Sequence, residues 1–227
     1  MKSKKTILMC LALTGLFLLT SCATFKSGIK GKFEPPAERN YQAEPVSVLF
    51  IFSHYRQTKG WDVIPKLDNQ WERIRGFDDF FNDALGEFSN LKNYAAFTDA
   101  ASDVNDPDRR AKKDSLIKEH DFVIKVKFMR EKSFAKHFLG TFVSSISLTV
   151  VPVPYFYYYK VDAEIYNSEN QLIKNYSRSS HLTKWVQTLM IFAYPFHPEK
   201  RKKEELYLEF LHDIFKQIET EKVLIKS

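Results

Sequence analysis

The sequence predicts an α/β domain, with α+β as the neighbouring class: a βαβαβ core carrying an antiparallel hairpin insertion and closed by a C-terminal helix. Three patterns carry that prediction. Residues 46–52 form a continuous apolar run rich in β-branched and aromatic side chains, as in a strand buried on both faces of a sheet. Phe77, Phe80, Phe81, Ala84, Leu85, Phe88 and Leu91 then recur at helical spacing and fall on one stripe. Residues 122–129 and 160–166 alternate between two faces, the period of strands.

In chain order, Pro45 and the pair Ser53-His54 bracket the first strand, and the segment from there to Trp71 reads as a long loop around Gly60, Trp61 and Pro65. The helical stripe opens at Phe77 with Asp78 and Asp79 in its first turn, where the macrodipole favours acids. Residues 94–98 are a short strand. Asp106 followed by Pro107 is an N-cap with proline at the first helical position, and the helix it opens runs to about Glu119. Asp121 opens the third strand. Sequential βαβ units of this length imply right-handed crossovers and a largely parallel core with helices on its faces.

Residues 138–159 contain no charged side chain, a stretch long enough to be mistaken for a membrane span. Pro152 and Pro154 oppose a straight helix there. Residues 144–151 are therefore expected as a strand, or a short helix and strand, followed by a bend at 152–154. Residues 160–166, a turn at 167–170 and residues 171–185 make an antiparallel hairpin with a wet face. A second uncharged stretch, residues 185–196, carries Trp185, Phe192, Tyr194 and Phe196. Lys200, Arg201, Lys202 and Lys203 follow at the start of the C-terminal helix, which runs to about Lys222 with Tyr207, Phe210, Leu211, Ile214 and Ile218 on one stripe.

Ahead of the domain, Lys2, Lys4 and Lys5 precede an apolar run that begins at Ile7 and ends in Leu19-Thr20-Ser21-Cys22. A basic start, a short apolar core and small residues at its end are the parts of an export signal. The run is shorter than the roughly 20 residues a spanning helix needs. The tetrad resembles the lipobox of bacterial lipoproteins. That resemblance implies that residues 1–21 are a lipoprotein signal peptide, that Cys22 takes a diacylglyceryl group on its thiol and becomes the first mature residue, and that it is N-acylated in many bacteria. It further implies a lipid-anchored place in the periplasm. Ala23 stands where enteric lipoproteins retained at the inner membrane carry aspartate, so the resemblance points to the outer membrane. Two or three acyl chains, palmitate among them, make an anchor durable where one is marginal. Residues 22–45, with Gly28, Gly31, Pro35, Pro36 and Pro45 among polar side chains, read as the lipidated N-terminus and a flexible tether, leaving residues 46–227 as a single α/β domain.

Composition narrows the function classes. The net charge of +6 falls to about +3 once the three leader lysines are set aside, and an exported protein is not expected to meet nucleic acid. The two cysteines are Cys10 and Cys22, so the domain has no thiol for a disulfide, a Cys-ligated metal or a Cys nucleophile. Its stability must rest on core burial, for which 20 Phe and 11 Tyr supply material. Ser115 with Lys118 and Ser133 with Lys136 match Ser-x-x-Lys, but neither Ser-Asp-Asn nor Lys-Thr-Gly accompanies them. There is no Gly-x-Ser-x-Gly and no Walker-type loop. His54, His120, His137, His181, His197 and His212 are scattered without metalloprotease spacing. Asp99, Asp103, Asp106 and Asp108 lack the glycine a calcium loop needs and read as loop and cap.

The reading is a noncatalytic binding or assembly role, with no catalytic residue, no metal and no cofactor, and with an envelope protein as partner besides the membrane. The candidate contact surface for lipid or partner is Trp185, Phe192, Tyr194 and Phe196 rimmed by Lys200, Arg201, Lys202 and Lys203; the plain alternative is that the aromatics are core and the basic run a solvated helix start. Two other functions stay open: an oligomeric membrane-inserting or secretion-pore lipoprotein, for which residues 141–151 alternate loosely as a barrel strand, and an envelope hydrolase without a recognisable motif. The α/β order with a strand-rich insertion behind a lipobox is similar to envelope lipoproteins of the curli-secretion and synthase-activator type. That similarity covers element order over residues 46–222, implies a partner-binding surface and assigns no residues.

Overall fold

The computed structural model describes residues 21–68, 77–187 and 198–226. The apolar run heads a strand of 14 residues, β2 (Val46–Lys59), which is central to the parallel part of the sheet. It pairs in parallel with β4 (Leu91–Asp99) on one side and with β5 (Phe122–Ser133) on the other. The helix α1 (Phe77–Leu85) lies between β2 and β4 in the chain, and α2 (Pro107–Glu119) between β4 and β5. These two connections step across the sheet in opposite directions, so right-handed crossovers place their helices on opposite faces. Phe81, Ala84 and Leu85 of α1 join Phe50 and Phe52 on what we call the inner face. Leu116 and Ile117 of α2 pack on Leu49, Ile51, Phe97 and Val123 on the outer face. The predicted α/β class and its βαβαβ core are present.

The rest of the sheet is antiparallel. β5 pairs with β6 (Val153–Asn167), β6 with β7 (Leu172–Gln187), and β7 with β1 (Ser21–Lys26). A short strand, β3 (Lys66–Leu67), joins the far edge of β2, giving a sheet of seven strands in the order β1-β7-β6-β5-β2-β3 with β4 also on β2. The predicted hairpin thus continues the main sheet. Its turn is set by Asn167, whose Oδ1 accepts from the backbone N–H of Glu169 and Gln171, and by Asn170 at φ 59°. The C-terminal helix α4 (Glu199–Thr220) covers the inner face, burying Leu206, Phe210, Leu211, Ile214, Phe215 and Ile218 completely. Phe215 meets Phe50 at 5.4 Å and Phe88 at 5.0 Å between ring centroids, so α4, β2 and the turn after α1 share one aromatic core.

Several expectations need correction. The segment after Ser53 is strand as far as Lys59, because β5 runs beside it to the register pair Lys59–Ser133. α1 stops at Leu85, ahead of Gly86; Phe88 still packs into the core, while Leu91 opens β4. Residues 144–151 hold no strand. Instead α3 (Phe134–Ile146) follows β5 directly, with the Ser133 hydroxyl accepting from the N–H of Lys136 at 3.5 Å. Leu148 and Thr149 then turn the chain at φ 49° and 61°, and β6 begins at Val153, so both prolines lie beyond the helix. Residues 141–151 are therefore helix and turn here, not the strand on which the barrel alternative rests.

Residues 22–45 are not a free tether. β1 takes residues 21–26 into the sheet, and Lys30 bridges to Ser179. Further on, the Phe33 N–H donates to both carboxylate oxygens of Asp213 at 3.1 Å, and the Asn40 N–H to Glu219 at 3.0 Å. Both acids are buried on α4 and need such donors, and Arg178 pairs with Asp213 from β7. The segment is a strap along α4, held by backbone hydrogen bonds that its composition does not reveal.

Candidate functional site at one end of the sheet

Strand direction brings Cys22, Trp185 and the start of the basic run to one end of the molecule. β1 and β6 start there, and β2, β5 and β7 finish there: Cys22 pairs with Val186, Val186 with Val153, and Lys59 with Ser133. α4 also starts at this end, where Glu199 receives Lys184 Nζ at 2.8 Å. We call this end the anchor pole.

Cys22 is half-buried in β1, and burial pushes its thiol pKa up, with the nearby Lys184 ammonium opposing. A thiol in that state is not an activated nucleophile by its own environment. Trp185 is a near neighbour, pairing with Ala23 on one side and Pro154 on the other. Phe192, Tyr194 and Phe196 lie outside the described residues. The basic run is not four solvated cations. Lys200 and Arg201 are exposed, whereas Arg201 and Lys202 share Glu205 at 3.2 and 2.8 Å. Lys203 turns inward, where burial lowers its pKa and its ammonium lies 6.0 Å from the Tyr207 ring. The structure therefore brings Cys22, Trp185 and Lys200 to one pole, with Arg201 beside them paired to Glu205, and assigns Lys202 and Lys203 to helix pairing and packing.

The most unusual element at this pole is α3, which sequence reasoning missed. It packs on β6 through its small and polar residues: Gly140 and Ser144 are buried, and the His137 ring nitrogen Nε2 lies 3.2 Å from the Phe156 carbonyl oxygen. Only glycine fits this approach without adjustment, because a Cβ at 140 would lie 3.1 Å from Val153 Cγ1 and 3.2 Å from Tyr155 Cε1. The apolar side chains point away: Phe138 is 65% exposed, Leu139 62%, Phe142 56% and Ile146 68%. Phe134 stacks 6.0 Å from Phe138 and 5.2 Å from Trp61, which extends the apolar surface toward Val63 and Ile64 in the turn after β2. Past the helix, Leu148, Val150 and Val151 are exposed as well. The signal was present in the spacing of His137, Gly140 and Ser144, a polar stripe opposite Phe134, Phe138 and Phe142.

Beside the first turn of α3, a cleft of about 480 Å³ opens on the outer face, lined by Lys30, Lys132, Lys136, Lys160, Tyr158 and His181 among others. Lys59, also in its wall, pairs with Glu131 at 2.6 Å, and Lys160 with Asp162 at 2.7 Å. Among the described residues Lys30, Lys132 and Lys136 have no carboxylate partner. Burial lowers the pKa of His137, and Lys132 and Arg130 add to that effect against its backbone hydrogen bond. The cleft is suited to attract anions by charge.

Other sequence candidates have structural duties. Ser133 caps α3, and Ser115 donates to Glu119 at 2.6 Å. Asp106 caps α2 by accepting from the Arg109 N–H at 3.0 Å, while Asp103 binds the Arg109 guanidinium and Asp99 binds Lys113, each at 2.6 Å. His212 is held between Glu87 at 2.8 Å and Asp83 at 3.1 Å, tying α4 to α1. No group of three metal-ligating side chains occurs among the described residues, and none of their helices is long and apolar enough to cross a membrane.

No protein-family model and no curated protein matches the chain. Among solved structures it is similar to a PelC dodecamer from Paraburkholderia phytofirmans, with a TM-score of 0.32 and 8% identity, over 88% of this chain and 99% of that one. It is similar as well to a point variant of the same PelC dodecamer, with a TM-score of 0.29 and 9% identity, over 87% of this chain and 98% of that one. The likeness is weak and assigns no residue or activity to this chain.

Proposed function

We propose that this protein is a bacterial cell-envelope lipoprotein, acylated at Cys22 and held at the outer membrane, with a noncatalytic binding or assembly role toward an envelope partner. The observation that carries the reading is Leu19-Thr20-Ser21-Cys22 at the end of a short apolar run behind three lysines. The position of Cys22 is compatible with it. The cysteine is the second residue of an edge strand, at the pole where β6 begins and β7 ends. Trp185, Lys200 and Arg201 lie at the same pole, and the proposed role gives them contacts beside the anchor.

The test is metabolic labelling with an alkynyl fatty acid in cells producing the natural chain or Cys22→Ala, followed by detergent-free membrane fractionation. The expected result is a labelled, membrane-bound natural chain whose N-terminal peptide begins at Cys22, and a variant without label. An unlabelled natural chain, or label that survives the substitution, would overturn the assignment.

A further inference from the structure

We infer that the anchor pole carries a docking site for an anionic phospholipid leaflet: the outward face of α3 enters the acyl region while Lys132 and Lys136 of the adjoining cleft take phosphate headgroups. The inference builds on the lipoprotein reading, which supplies the membrane, but rests on residues that the anchor does not use. The first observation is the orientation of α3. A helix on the surface of a water-soluble domain turns its apolar stripe to the core. Here His137, Gly140 and Ser144 face the sheet, and from Phe134 round to Val143 the exposed apolar residues cover about half the helix circumference, at about 100° per residue. Such an arrangement forgoes burial that the fold had within reach, and contiguous exposed apolar surface on this scale marks a contact site.

Charge and position select the occupant. No acidic or basic residue occurs from Phe138 to Tyr159, and the Ser145 hydroxyl on this face is satisfied within the helix, donating to the Thr141 carbonyl at 2.8 Å. At its border Glu131 and Asp62 are paired with Lys59 and Lys66, whereas Lys132 and Lys136 have no carboxylate partner among the described residues. A second copy docked face to face would add the same unpaired Lys132 and Lys136 to the shared border, whereas an anionic headgroup layer is their complement. Lysine beside an interfacial apolar helix face is the pattern by which helices lie in a bilayer surface. Position agrees: Val153, the residue that closes on Gly140, is two strand spacings, about 10 Å, from Cys22 across β7. With residues 27–45 strapped to α4, acyl chains on Cys22 bring this pole to the bilayer without slack.

The experiment uses residues 22–227 with Cys22→Ser, which keeps every described strand and helix apart from Ser21 and carries no acyl chain. Its cosedimentation is measured with vesicles of phosphatidylcholine alone and with added phosphatidylglycerol, and its fold is checked by circular dichroism. Binding is expected only with phosphatidylglycerol, weakening as salt is raised. Lys132→Gln with Lys136→Gln should weaken it about thirtyfold. Phe138→Ser with Leu139→Ser should abolish it and leave the melting temperature unchanged, since both side chains point outward. Binding that ignores phosphatidylglycerol, or survives both pairs of substitutions, would overturn the inference. So would an oligomer that the Phe138 and Leu139 changes dissociate in light scattering without any vesicle binding, which would give the face to a second copy. Because the probe is unacylated, vesicle binding with no label on Cys22 in cells sinks the lipoprotein reading alone, and label without vesicle binding sinks this inference alone.

Discussion

At the scale of single residues, His54 shows how far the core controls ionisation. Its ring stacks 5.0 Å from Phe128 and stands edge-on to Tyr207 at 6.3 Å. Burial, with the Lys203 charge assisting and Asp68 opposing, lowers its pKa from 6.5 to about 4. The folded protein therefore holds His54 neutral at a pH where the unfolded chain protonates it. Stability from this residue is complete above pH 6.5 and is lost as pH falls from there toward about 4, by at most ~3 kcal/mol. Urea unfolding at pH 7 and pH 4.5 should show that loss, and His54→Phe should flatten it; an unchanged acid slope in the variant would contradict the assignment. Residue-scale legibility was uneven. The lipidation proposed for Cys22 is written in adjoining residues, Leu19-Thr20-Ser21, so it needs no fold to be read. Lys203 was not legible, because only the packing of α4 against β2 and β5 decides which of four adjacent cations turns inward.

At the scale of elements, what the sequence shows depends on whether an element's own side chains carry its contacts. β2, β5 and β6 were legible where alternating or continuous apolar residues meet the core. The second half of β2 is polar on both faces and is a strand only because β5 runs beside it. β1 buries small residues, Ala23 and Thr24, too little apolar surface to stand out in a pattern. α3 escapes a sequence reading for a different physical reason: helix recognition assumes that apolar residues point to the core, and here they point away. The strap over α4 was invisible because backbone N–H groups make its key bonds. Its main clasp is the pair Arg178 and Asp213, 5% and 7% exposed. Asp213→Ala leaves a buried guanidinium unpaired and frees the Phe33 N–H, so it should cost about 3–5 kcal/mol in urea unfolding. Limited proteolysis should then cut faster at Lys30 and Lys32. Unchanged stability and unchanged cleavage would show that the strap is held elsewhere.

At the scale of the whole molecule, the long antiparallel strands give the sheet two distinct ends. β6 has 15 residues and spans about 50 Å, from the anchor pole at Val153 to the turn after Asn167. One end gathers Cys22, the outward face of α3 and the start of α4; the other carries the turn at 167–171, with Leu172 exposed beyond it. On the proposed reading the first end rests on the bilayer and the second stands away from it. The most direct test of that reading is tryptophan quenching by brominated lipid in vesicles containing the full-length acylated protein. Trp61, Trp71 and Trp185 are replaced by Phe, and a single tryptophan is introduced as Phe138→Trp or Leu172→Trp. Strong quenching is expected at position 138 and none at 172. Equal quenching at both positions, or quenching at 172 alone, would contradict that reading.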